Sequence, residues 1–167
     1  MTITADAMLR RFLDTNGDGS GTKNANGNYS SAEEIFYIQP PAHQNYLLYR
    51  MMAYVKDSGT FDSGSYGNGI TLTNGIAVRV SDDSGVQHDL TDGVPVKTNP
   101  DWRQHCFDAE PSSYGLGDEA LGVRWTFTRG GPPILLEGAN GDRLEVVLHD
   151  DFSGLITHTF KVEGVIE

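Results

Sequence analysis

The densest apolar run of the chain spans residues 46–55. Leu47, Tyr49, Met51, Ala53 and Val55 alternate there with Tyr46, Leu48, Arg50, Met52 and Tyr54. Side chains alternate between faces along a strand. The stretch therefore predicts a central strand whose first set is buried. The second, mixed set suits a face covered only in part by another layer or a neighbouring subunit. A helix is the rival reading. Pro40 and Pro41 could open it, Gly59 could close it, and Leu, Met, Ala and Arg are good helix formers. Periodicity alone does not separate the two in so short a run.

The rest of the chain decides for strands. Residues 34–39 predict the first body strand, stopped by Pro40-Pro41 and turned at residues 42–45 into a hairpin with the central strand. Residues 69–73 read as a further short strand. Ile76, Val78 and Val80 alternate with Ala77, Arg79 and Ser81, and the turn at residues 82–85 sends the chain back along 86–90. Leu121, Val123, Trp125 and Phe127 point inward from a strand over 120–128. Ile134 to Leu136 follow a Gly-Gly-Pro-Pro break, and residues 139–142 signal a tight turn. Leu144, Val146 and Leu148 alternate along 143–149, and a last strand covers 158–166. About eight short strands with turns at short intervals predict an all-β fold, a single β-sandwich of jelly-roll-like or Greek-key type. Residues 1–30 divide off as an N-terminal arm and polar loop, and 31–167 form the sandwich domain.

At 167 residues the chain is long enough for one domain with its own core. Twenty glycines fit the many turns. No apolar run reaches the ~20 residues of a membrane-spanning helix, and Asp6 stands where a signal peptide would be apolar. The single Cys106 excludes an intrachain disulfide framework. Twelve basic against 23 acidic residues give a net charge of −11, and the basic residues are scattered. That argues against nucleic acid as a partner, since duplex binding needs clustered Lys and Arg.

Candidate chemistry is sparse. Asp14, Asn16, Asp18, Gly19 and Ser20 match the first half of an EF-hand calcium loop, so Asp14, Asn16, Asp18 and Ser20 are weak calcium candidates. Ala25 stands where the bidentate Glu belongs, unless Glu33 or Glu34 folds back; a plain Gly/Asn-rich loop is the simpler reading. His149, Asp150, Asp151 and His158 could approach a metal only in part, because neighbours on a strand face opposite ways. Turn-forming aspartates are the better account, as for Asp82 and Asp83. Nucleophile elbow, P-loop, dinucleotide and H-E-x-x-H patterns are all missing from the sequence. Met8, Leu9, Phe12 and Leu13, with Arg10 and Arg11, form a short helix or an extended arm. Too few to stabilise an isolated element, these six residues are expected to contact another chain.

The stretches 8–22, 36–40, 72–76, 90–98 and 144–154 together resemble small structural proteins of tailed bacteriophages. The resemblance runs over nearly the whole chain. It implies a non-enzymatic virion component, most plausibly a head decoration or cement protein. Such proteins are compact β-domains, commonly homotrimeric, that clamp neighbouring subunits of the major capsid protein. Neck, tail or fibre positions fit almost as well. The resemblance carries no functional residue. A carbohydrate- or receptor-binding sandwich is the other class in view, and exposed Phe61, Tyr66, Trp102 and Tyr114 would favour it.

Overall fold

A computed structural model of the chain describes residues 8–12, 25–56, 74, 76–90, 120–129, 132–153 and 157–167. Nine strands run in chain order: β1 (Met8–Phe12), β2 (Glu34–Ile38), β3 (Asn45–Lys56), β4 (Ile76–Asp82), β5 (Gly85–Asp89), β6 (Ala120–Thr126), β7 (Ile134–Glu137), β8 (Arg143–Leu148) and β9 (Thr157–Ile166). Among the described residues the only helical turns are two short 3-10 turns, Phe127–Arg129 and Gly138–Asn140. The run at 46–55 is a strand, as the alternation around it requires.

Two antiparallel sheets pack face to face. One has the order β1-β9-β3-β6, with β7 also paired to β3; the other has the order β2-β8-β4-β5. β6 and β7 lie end to end along one edge of β3, β6 against Arg50–Lys56 and β7 against Asn45–Leu48. The 3-10 turn at Phe127–Arg129 and the prolines at 132 and 133 break what is otherwise one strand. Counted so, the described residues form eight strands in two four-stranded sheets. The first strand then pairs with the last, the second with the seventh, the third with the sixth and the fourth with the fifth. This is the wrapping of a jelly roll. It corrects one expectation: β2 and β3 are not a hairpin. Pro40 and Pro41 interrupt pairing after β2, Gln44 N–H closes a turn on the Pro41 carbonyl, and the chain crosses to the opposite sheet.

The core lies between the sheets. Phe36 and Ile38, Ile76, Val78 and Val80, and Leu144, Val146 and Leu148 face it from one side. Leu48, Met51, Ala53, Trp125, Phe160 and Val162 face it from the other. Phe36 meets Phe160 edge-on at 5.1 Å between ring centroids, and the His158 ring packs on both. The inward sets expected for β4 and β8 are buried as the alternation predicts.

The central strand departs from uniform alternation. Tyr46 and Leu48 are buried, Tyr49 and Arg50 are both exposed, and Met51 and Ala53 are buried again. The register with β9 slips by one residue between Leu48 and Arg50, which makes Tyr49 the extra residue of a β-bulge. The expected inward face is therefore right at Met51 and Ala53 and reversed before them: Leu47 and Tyr49 face out, Tyr46 and Leu48 face in. The bulge coincides with the junction of β7 and β6 on the other edge, so both neighbours change register at one point.

β1 is extended and hydrogen-bonded to β9 of the same chain, from Met8 opposite Val165 to Phe12 opposite Lys161. It ends the strand order of its sheet. Sandwich contacts also reach N-terminal of residue 31: Ala25 is buried in the core, Asn28 bridges Asp151, and Tyr29 N–H donates to the Asp150 carbonyl.

Candidate binding surface

The outer face of the β1-β9-β3-β6/β7 sheet carries most of the exposed apolar bulk among the described residues. Tyr49 is 37%, Met52 38% and Leu135 44% exposed. Their positions follow from the register. Leu47 is flanked by Leu135 on β7 and Val165 on β9, which gives an apolar row across three strands. Arg50 lies between Thr126 and Glu163, with Tyr49 beside it because of the bulge. Met52 lies between Arg124 and Lys161. Glu163 joins the last two rows by ion pairs, 2.7 Å from Lys161 Nζ and 3.6 Å from Arg50. Contiguous apolar surface rimmed by charge is the chemistry of protein contacts, and this face is the candidate for one among the described residues.

The outer face of the other sheet is built differently. Glu145 is charged yet only 3% exposed. It accepts from Arg79 Nε at 2.6 Å and from Arg143 Nε at 2.7 Å. Arg79 also reaches Glu33 at 3.2 Å, and Arg143 approaches Asp83 at 3.7 Å. The result is a ladder of alternating charge across β4, β8 and their flanking loops. Burial, the largest single influence, pushes the Glu145 carboxyl up. The neighbouring Ser81 hydroxyl, the two short hydrogen bonds from Arg79 and Arg143, and the Arg79 charge outweigh it and hold the group below its ordinary value. A general acid at neutral pH needs the opposite shift. The ladder is a lacing of the sheet.

The anticipated sites fall out as follows. Asp14, Asn16, Asp18 and Ser20 lie outside the described residues, as do Leu13, Phe61, Tyr66, Cys106, Trp102 and Tyr114. Ala25, at the twelfth position of the calcium-loop pattern, is wholly buried among core residues, where a carboxylate would be desolvated. Glu33 is engaged with Arg79 and lies 3.8 Å from His149 Nδ1. Met8, Leu9, Arg10, Arg11 and Phe12 are placed in β1, at the end of the β1-β9-β3-β6 sheet. Asp150 Oδ2 accepts from Asn74 N–H at 2.6 Å, while Asp151 accepts from Asn28 and from both Ser153 donors. These aspartates tie loops together. No group of three or more His, Cys, Asp or Glu side chains able to hold a metal occurs among the described residues. Asp82 accepts from the Ser84 hydroxyl and from the Ser84 and Gly85 N–H groups, and these bonds, the hydroxyl's foremost, hold its carboxyl below the ordinary value. The sequence reading missed the Glu145 ladder. Its signal was there: on paired strands, outward positions hold Arg79, Glu145 and Arg143 while their neighbours are apolar.

No protein-family model, curated protein or solved structure matches the chain.

Proposed function

We propose that this chain is a non-enzymatic structural protein of a tailed-phage virion, acting as a decoration protein that stabilises the shell by contacting neighbouring capsid subunits. The virion assignment rests on the sequence resemblance. The observation that supports a binding role is the outer face centred on Leu47, Tyr49, Met52 and Leu135, an apolar and charged surface on a rigid jelly roll. A sheet face of this kind suits a static contact, because side chains on paired strands hold their spacing without loop rearrangement. The resemblance implies a homo-oligomer, commonly a trimer, but the shell-stabilising role does not depend on that number. Its partners are the major capsid protein or other virion proteins; nucleic acid and membrane have no part in the function. Jelly rolls also host carbohydrate binding, so the fold alone does not choose between the classes.

Purified protein mixed with particles that lack it should co-sediment saturably and raise the temperature at which the particles release their DNA. Particles that bind none of it and melt unchanged would overturn the reading.

A further inference from the structure

The geometry points to a second copy of this chain as the occupant of the β1-β9-β3-β6/β7 face, related to the first by a twofold axis. The inference rests on reading that face as a protein contact, and it assigns the face to the homo-oligomer, leaving the capsid contact to the rest of the surface.

The argument comes from the order of charge along the strands. At one end of the face Asn45 is flanked by Glu137 on β7 and Glu167 beyond β9, the latter through a reciprocal pair of backbone hydrogen bonds. Both glutamates are exposed, and alternation from Leu135 and Val165 puts them on this side of the sheet. The apolar row of Leu135, Leu47 and Val165 comes next. In the third row Arg50 pairs with Glu163 beside Tyr49, and Arg10 of β1 stands opposite Glu163 on the far side. Arg124 and Lys161 flank Met52 in the fourth row. The face thus runs from acidic, through apolar and mixed, to basic, over roughly 20 Å at two residues per row.

Such a gradient complements itself. Two copies laid face to face with strands antiparallel bring the glutamate row of each over the Arg124 and Lys161 row of the other. The twofold axis then lies in the interface, across the strands, between the second and third rows. The Leu47 row of each copy meets Tyr49 and the Arg50–Glu163 pair of its mate. An interface between identical patches requires this self-complementarity. Overall charge points the same way. The chain carries −11, so two copies repel over most of their surface. Within the four rows on β3, β6, β7 and β9, three basic residues (Arg50, Arg124, Lys161) balance three acidic ones (Glu137, Glu163, Glu167), and Arg10 on β1, opposite Glu163, and Lys56 at the end of β3 add positive charge, so the face lacks the acidic excess of the rest of the chain. A threefold ring would need two different complementary patches, whereas this one patch satisfies itself.

Sedimentation velocity over a dilution series tests the idea. The full chain should sediment as a dimer that dissociates on dilution. Arg124→Glu/Lys161→Glu makes both end rows acidic, and Glu137→Lys/Glu167→Lys makes both basic. Each double variant should be monomeric at concentrations where the parent is dimeric. An equimolar mixture of the two should form a heterodimer, since every acidic row then meets a basic one. Thermal melts of both variants should stay within a few degrees of the parent's monomer, as surface changes allow. A monomeric or trimeric parent, or a mixture of folded variants that stays monomeric, overturns the proposal. Particle co-sedimentation is read separately. Particles that bind a monomeric parent would sink the dimer alone, and a dimer that binds no particles would sink the virion role alone.

Discussion

Gly164→Ala is expected to cost at least about 3 kcal/mol, and Gly164→Val to prevent folding. The reason lies in the bulge of β3. Where Tyr49 is extruded, β9 is drawn tightly against β3, with Gly164 opposite Leu48. A Cβ on Gly164 would lie 2.2 Å from the Leu47 carbonyl oxygen and 3.0 Å from its carbon. These are backbone atoms, so no rotamer change relieves the clash. The strands must part, and the ladder that joins β3 to both β9 and β7 opens at its centre. For a domain of this size, 3 kcal/mol lowers the melting temperature by roughly 6–12 °C. Thermal unfolding followed by circular dichroism reads the effect directly. A Gly164→Ala variant that melts with the parent would mean that β9 does not approach β3 in this way.

Loss of the Glu145 carboxylate is the second large effect. Glu145→Ala leaves Arg79 and Arg143 on one face without the anion both are bonded to. Removing one partner of a buried charge cluster costs about 3–5 kcal/mol; partial exposure of both arginines places this case at the lower end. Glu145→Gln keeps the shape and removes the charge, and should cost about 2 kcal/mol. The pH dependence separates charge from packing. The folded-state carboxyl lies below its unfolded value, so its stabilisation is complete above the ordinary glutamate range, near about 4.3. It is lost as pH falls from there through the lower folded value. Parent and Glu145→Gln should therefore differ most at neutral pH and converge in acid. Denaturant midpoints from pH 7 to pH 3 give the comparison. A constant difference across that range would show that the charge contributes nothing and that only packing was lost.

How far the fold was legible depended on where local pattern and tertiary pairing agree. Ile76, Val78, Val80 and Leu144, Val146, Leu148 lie on regular strands with one buried face, so period-two alternation alone placed them. The Asp82–Gly85 hairpin announces itself by turn chemistry, since an Asp side chain supplies the acceptor that the turn N–H groups need. The bulge at Tyr49 could not be read in advance. It arises because β7, β6 and β9 all pair with β3 in registers set by distant segments, and residues 46–55 contain nothing that distinguishes Tyr49 from its neighbours. The same holds for the step from β2 to β3. Pro40-Pro41 marks a break, but whether the chain turns back beside β2 or crosses to the other sheet depends on β8, about a hundred residues later. Of the candidate surface, Arg50 and Met52 belonged to a strand face already expected to be covered in part by another layer or a neighbouring subunit. Leu135, Val165 and the charge gradient joined it only once the register was known.

The central claim is that this jelly roll serves as a structural component of a virion shell. Counting its copies per particle, by densitometry of purified virions against the major capsid protein, tests that most directly. The account predicts a copy number of the same order as the shell subunit, with the protein released together with shell stability when particles are stripped. A handful of copies per particle would move it to the neck, tail or fibre, and its absence from purified virions would contradict the claim outright.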